Sequence, residues 1–150
     1  MTLFDTLRIS GSGLTAERLR MDVAAANIAN AQTTRTPTGG PYQPEAVVFA
    51  AVPVGATPTS PVSSLRAASP GDPALPGVVA VALVPQGRAP LRVYDPGHPD
   101  ADPQGYVTYP GVDVGAEVAD AMGAARAYSL NAAVVADVKA MAQETLDLGR

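Results

Sequence analysis

Cysteine and tryptophan are absent from this chain, and histidine occurs once. Without thiols there can be no disulfide and no thiolate metal site, while the redox compartment is left open. The single imidazole, His98, stands in a proline-flanked loop where nothing positions a nucleophile, so a Ser-His-Asp arrangement has no support. No phosphate loop is present either: Gly11-Ser12-Gly13 lacks the Lys-Ser/Thr ending and lies inside a helical pattern, where the glycines weaken or bend the helix. No motif argues for an enzyme, and no cofactor is expected.

Basic excess is also missing. The formal charge is −4 and the arginines are scattered, so no stripe exists to neutralise phosphates, and neither nucleic acid nor a membrane surface is expected as a partner. Near the N-terminus, Asp5 and Arg8 interrupt the apolar residues, which fits neither a cleavable signal nor a membrane span. No membrane insertion is expected, and export, if it occurs, needs another route. Aromatics make up only 5%, and much of the 47% hydrophobic content is alanine, which buries little area per residue. A self-sufficient core is therefore less assured than the percentage suggests, and other subunits are expected to complete the surface.

What the chain does have is helical periodicity at both ends. Over residues 3–30, steps of four and three pick out Leu3, Leu7, Ser10, Leu14, Glu17, Met21, Ala24 and Ile28, a heptad seam with two polar members. Such a helix is about 40 Å long, too long and too narrow-faced to be covered by a compact core of its own. Over residues 114–148 a second pattern aligns Val118, Ala121, Ala125, Tyr128, Ala132, Val135, Ala142 and Leu146. Asp113 is its expected N-cap, Glu117 and Asp120 sit in early turns where the helix dipole favours acids, and Gly149 marks its end. The two helices are expected to pack together. Leu7, Leu14, Met21, Ile28, Val118, Ala125, Tyr128 and Val135 are the contact residues, either within the chain or between subunits. Arg18 and Arg20 fall off the first seam.

Between the helices, breakers at 32–41 turn the chain, and Asn27 and Asn30 read as helix-stopping residues that tolerate a left-handed backbone. Short Val- and Tyr-rich runs at 45–54, 78–84, 91–94 and 106–109 predict a small antiparallel β unit. Residues 53–76 are dominated by proline and small residues and predict a flexible or irregular loop. The fold class is thus α+β. A discontinuous helical domain spans 1–34 and 111–150, packed as a coiled-coil-like pair, and a β-rich middle spans 35–110.

The segment 95–105 brings Asp95, His98, Asp100 and Asp102 together and faintly resembles a calcium loop, but position twelve counted from Asp100 is Gly111 where a bidentate Glu is needed. Turn-making aspartates between prolines explain the same residues, and no metal is expected.

Three blocks carry a family likeness. They are Arg18-Leu19-Arg20-Met21-Asp22-Val23 leading into Asn27-Ile28-Ala29-Asn30; Gly40-Pro41-Tyr42 with Val93-Tyr94-Asp95-Pro96-Gly97-His98 and Gly105-Tyr106-Val107; and Pro110-Gly111-Val112-Asp113-Val114 followed by Arg126-Ala127-Tyr128, Asn131, Lys139 and Leu148-Gly149. Together they resemble the bacterial flagellar rod proteins, members of the axial family. Asn27, Asn30, Arg126, Tyr128 and Asn131 fall on the family motifs, whereas Ser129 and Leu130 depart from the Glu or Gln and then Ala common there. The resemblance implies a structural subunit of the proximal rod in the flagellar basal body, within the periplasm. It would be exported unprocessed by the flagellar type III apparatus and assembled with further copies, other rod proteins and the hook-basal-body junction protein. The shaft so built would be hollow, transmitting torque and passing exported subunits. An adaptor binding one partner helix is the alternative that the same stripes allow, and another axial rod or hook protein is a second.

Overall fold

The computed structural model describes residues 3–52 and 77–149. The loop expected at 53–76 lies outside the described residues. Helix α1 spans Leu3–Ala29 and helix α2 spans Val114–Leu148, 27 and 35 residues respectively. They pack antiparallel: Asn27 meets Glu117, Arg20 meets Asp120, and Gly13 lies against Asn131. Asp113 caps α2 as its residue type dictates, its extended backbone (φ −92, ψ 96) letting Oδ1 accept the Ala116 N–H at 3.2 Å.

Among the described residues, four strands separate the helices. β1 (Glu45–Val52) pairs antiparallel with β2 (Gly77–Pro85), and β3 (Leu91–Tyr94) pairs antiparallel with β4 (Tyr106–Tyr109). The expected β unit is therefore two separate two-stranded sheets. In the first, Glu45 lies opposite Pro85 and the register shifts between Val48 and Phe49, a bulge that bends the ladder. That sheet packs on α1, and two-stranded sheets need such support to be stable. A Ser12 hydroxyl fixes the approach, accepting the Val78 N–H at 3.0 Å while donating to the Ile9 carbonyl at 2.7 Å. A Cβ on Gly77 would collide with that hydroxyl, so the strand must begin with glycine.

Among the described residues, the buried apolar set is Ala16, Ala24, Ala124, Val107 and Val138. Three of the five are alanine, so area burial stabilises this fold thinly, and the close approach of the helices has to be held in part by polar contacts.

Helix α1 runs unbroken through Gly11 and Gly13. The two glycines differ. A Cβ at Gly11 meets nothing within 4 Å, whereas one at Gly13 would stand 2.9 Å from Asn131 Nδ2, so only the second permits close passage of α2.

Candidate functional site: the helix seam and the Asn27 joint

The residues that fasten α1 to α2 follow a heptad spacing one position away from the predicted stripe. On α1 they are Gly13, Arg20 and Asn27, beside the predicted Leu14, Met21 and Ile28, which are half-buried, as is Leu7. On α2 the covered positions include Glu117, Ala121, Ala124, Asn131, Val135 and Val138. Of the predicted α2 residues Val135 is half-buried, Ala125 is exposed, and Val118 and Tyr128 are 42% and 38% exposed. The offset has a physical origin. Seam positions 117 and 131 are polar and position 13 is glycine, so a count of apolar residues selects the adjacent row.

Arg20, expected off the seam, lies on it. Its Nε donates to Asp120 Oδ2 at 3.0 Å and its Nη2 to Asp120 Oδ1, a bidentate pair between helices. The hydrogen bonds it donates to Asp120 raise the guanidinium pKa above its ordinary value. Glu17 adds a looser ion pair to Arg20 at 3.8 Å.

At the end of this seam Asn27 is 0% exposed and every hydrogen-bonding position of its amide is used. Nδ2 donates to the Glu45 carbonyl at 2.8 Å and to Glu117 Oε2 at 2.9 Å; Oδ1 accepts the Glu45 N–H at 3.0 Å and the Tyr42 hydroxyl at 2.9 Å. One side chain thus joins α1, the Tyr42 turn, the start of β1 and α2. Gln86, just past β2, donates through Nε2 to Glu117 Oε1 at 2.9 Å and to the Glu45 carbonyl at 3.2 Å. Burial, reinforced by Glu45 and Glu117, pushes the Tyr42 hydroxyl pKa up, so it remains a donor. Glu117 is 5% exposed, and both of its oxygens are satisfied by neutral amides.

Asn27 is therefore no helix stop. The helix ends at Asn30, where the bonding tightens, the Ala31 N–H donating to the Ile28 carbonyl at 3.2 Å, while Asn30 Nδ2 donates to the Ala26 carbonyl at 2.9 Å and Thr33 Oγ1 donates to Asn30 Oδ1 at 3.1 Å. The left-handed backbone expected of these asparagines is not adopted, since every positive-φ residue among those described is glycine.

In the 95–105 loop the carboxylates serve the backbone. Asp102 Oδ1 accepts the N–H groups of Tyr106 at 2.8 Å and Gln104 at 3.0 Å, and Oδ2 accepts Arg92 Nη2 at 2.6 Å. The Tyr106 amide foremost, then Gln104 and Arg92, hold its pKa below the ordinary carboxylate value. Asp95 Oδ1 accepts the Gly97 N–H at 3.2 Å, Asp100 Oδ2 accepts the Thr34 hydroxyl at 2.7 Å, and His98 Nδ1 accepts the Asp100 N–H at 3.1 Å.

Sequence comparison bears on what such a seam is for. The Flagella basal body rod protein family model matches residues 7–35, and the Flagellar basal body rod FlgEFG protein C-terminal model matches residues 104–148. Flagellar basal-body rod protein FlgC of Escherichia coli O6:H1 is 41% identical over 100% of both chains. Its namesake in Salmonella typhimurium is 40% identical over 100% of both, and that of Borreliella burgdorferi 38% over 97% of both. The chain belongs to the FlgC family of flagellar basal-body rod proteins.

The two matched family segments fall on the two halves of the seam. The first contains Gly13, Arg20 and Asn27, and the second contains Glu117, Asp120 and Asn131. Of the family-motif residues, Asn27 and Asn131 lie in the intrachain seam. Arg126 is exposed, and its guanidinium has no hydrogen bond or ion pair among the described residues; Tyr128 is also exposed. Ser129, where FlgC relatives are expected to carry a longer polar side chain, donates to the Arg126 carbonyl at 2.8 Å within its own helix, and Leu130 is 69% exposed. Gln86 was not singled out from sequence, Glu117 was read only as an acid in an early helical turn, and Tyr42 only as part of a family block. The available signal was polar residues recurring at heptad distance from Asn131 on an otherwise Ala-rich helix.

Proposed function

We propose that this FlgC-family chain is a subunit of the proximal rod, exported without cleavage by the flagellar type III apparatus and built into a hollow shaft in the periplasm. Its role is non-enzymatic: it transmits torque through packing and leaves a lumen for exported subunits. Its neighbours are further copies, other proximal-rod proteins and the hook-basal-body junction protein. Residues 1–34 and 111–150 form the rod core, and residues 35–110 form the outer unit.

The observation that carries this reading is the apolar surface left uncovered on a folded helix pair. Beyond Val138 every described residue of α2 is exposed, including Met141 at 51%, Leu146 at 73% and Leu148 at 89%, and Phe4 on α1 is 73% exposed. Val118, Ala125 and Tyr128 continue this surface along α2, while the half-buried Leu7, Leu14, Met21 and Ile28 run along α1. Such a surface is characteristic of a protein that completes its burial against partners. Head-to-tail contacts that do not close on themselves generate an open helical assembly.

The experiment is electron microscopy of basal bodies from cells carrying Leu14→Asp, with secretion followed by immunoblot. A charged group forced into the contact row is costly to bury. Rods should be lost while protein is still made. Normal rods built from Leu14→Asp subunits would refute the assignment of this row.

A further inference from the structure

The first sheet packs on α1, yet the hydrogen bonds that tie α2 to its base come, among the described residues, from one side chain, Glu117. Glu117 is buried, and its carboxylate has no cation in ion-pair range among the described residues. It is held by two neutral amides, Asn27 from α1 and Gln86 from the end of β2. These two contacts differ in quality. Asn27 is fully satisfied, whereas both Gln86 Nε2 bonds leave its Oε1 buried with no partner. An orphaned buried acceptor is costly, so the Gln86 side of the joint is held below the strength its position allows.

We propose that Gln86 and Glu117 form a releasable catch that sets the angle of the β1–β2 sheet against the helix pair. The helix pair keeps its own fastenings, the Arg20–Asp120 pair and the Gly13–Asn131 passage, when the catch opens. The sheet, by contrast, keeps its packing on α1 and two anchors along that helix, the Ser12–Val78 bond at one end and the Asn27 bonds to the Glu45 backbone at the other, a line about which it can rock. Closed, the catch fixes how the outer sheet is presented; open, it lets the sheet swing while the helices stay paired. The claim concerns the folded subunit alone and stands independently of the rod reading.

The chain has no cysteine, so spin labels can be placed at will. Ala82→Cys on β2 and Ala133→Cys on α2 are both at exposed positions and report the sheet-to-helix distance by double electron–electron resonance on the full-length monomer. Gln86→Leu removes both amide donors; it should replace the single narrow distance with a broad or split distribution, while circular dichroism shows unchanged helix content. Gln86→Lys supplies an ammonium to Glu117 and the Glu45 carbonyl and leaves no orphaned acceptor. It should narrow the distribution and raise Tm. An unchanged distribution in Gln86→Leu overturns the catch. So does loss of the helices together with the sheet, which would make this joint a keystone of the whole fold. A lower Tm in Gln86→Lys overturns the claim that the parent joint is held weak.

Discussion

The two ends of the helix pair are finished differently. At the Asn27 end, a fully buried amide, a buried carboxylate and a tyrosine hydroxyl are satisfied by four separate stretches of chain. At the other end, α2 extends past Val138 with leucine and methionine in solvent. One end is closed by its own chain through directional bonds, which fix geometry at a modest net gain. The other carries non-directional apolar surface that any well-shaped neighbour can cover. A subunit that must be one shape alone and part of a larger body later needs both.

Breaking the closed end should have the largest effect. Asn27→Ala leaves the Tyr42 hydroxyl, the Glu45 N–H and one Glu117 oxygen without their partner and the Glu45 carbonyl with Gln86 alone, and an orphaned buried group costs roughly 1–3 kcal/mol. A loss of about 3 kcal/mol or more is expected in urea unfolding followed by circular dichroism. Leu146→Ser at the open end should move the same curve by no more than about 0.5 kcal/mol, because the side chain touches solvent in the monomer.

The glycines sharpen the contrast on a single helix. Gly13→Ala drives a methyl into Asn131 and should cost about 1 kcal/mol net, overpacking outweighing the gain in helix propensity. Gly11→Ala meets open space and should stabilise by up to about 1 kcal/mol. Opposite shifts in Tm for the two variants check this.

Arg20→Ala should cost about 1 kcal/mol or less, since its pair with Asp120 is 38% and 42% exposed and solvent screens it. Arginine stays protonated throughout the accessible range, so its own ionisation adds no pH dependence to this contribution. Asp102 gives the smallest effect. Its folded pKa is depressed, so its contribution is complete above the unfolded value and is lost as pH falls through the lower folded one. A carboxyl resonance titrating below 3.8, and returning toward that value in Arg92→Ala, is the expected nuclear magnetic resonance result.

How far residue patterns anticipate this architecture depends on which force fixes each element. Helix α2, with Asp113 and Gly149 at its ends, and strands β3 and β4 are set by local capping, turns and side-chain type, and are legible in order. The facing rows are not, because the seam is made of Gly13, Arg20, Asn27, Glu117, Asp120 and Asn131, residues that hydrophobic periodicity discards. Asn27 has a local explanation as a helix stop, and only a partner ninety positions away, Glu117, reveals its other use. The division into two sheets likewise depends on which strands find α1, a long-range choice that strand propensity leaves open.

The central claim is that the open end of α2 is completed by neighbouring subunits while the Asn27 end is complete in the monomer. Leu146→Asp combined with Leu148→Asp tests it most directly, by comparing urea unfolding of the purified monomer with electron microscopy of basal bodies from cells expressing the same variant. The account predicts a monomer of unchanged stability and cells without rods. Intact rods in those cells, or a monomer that loses its fold, would contradict it.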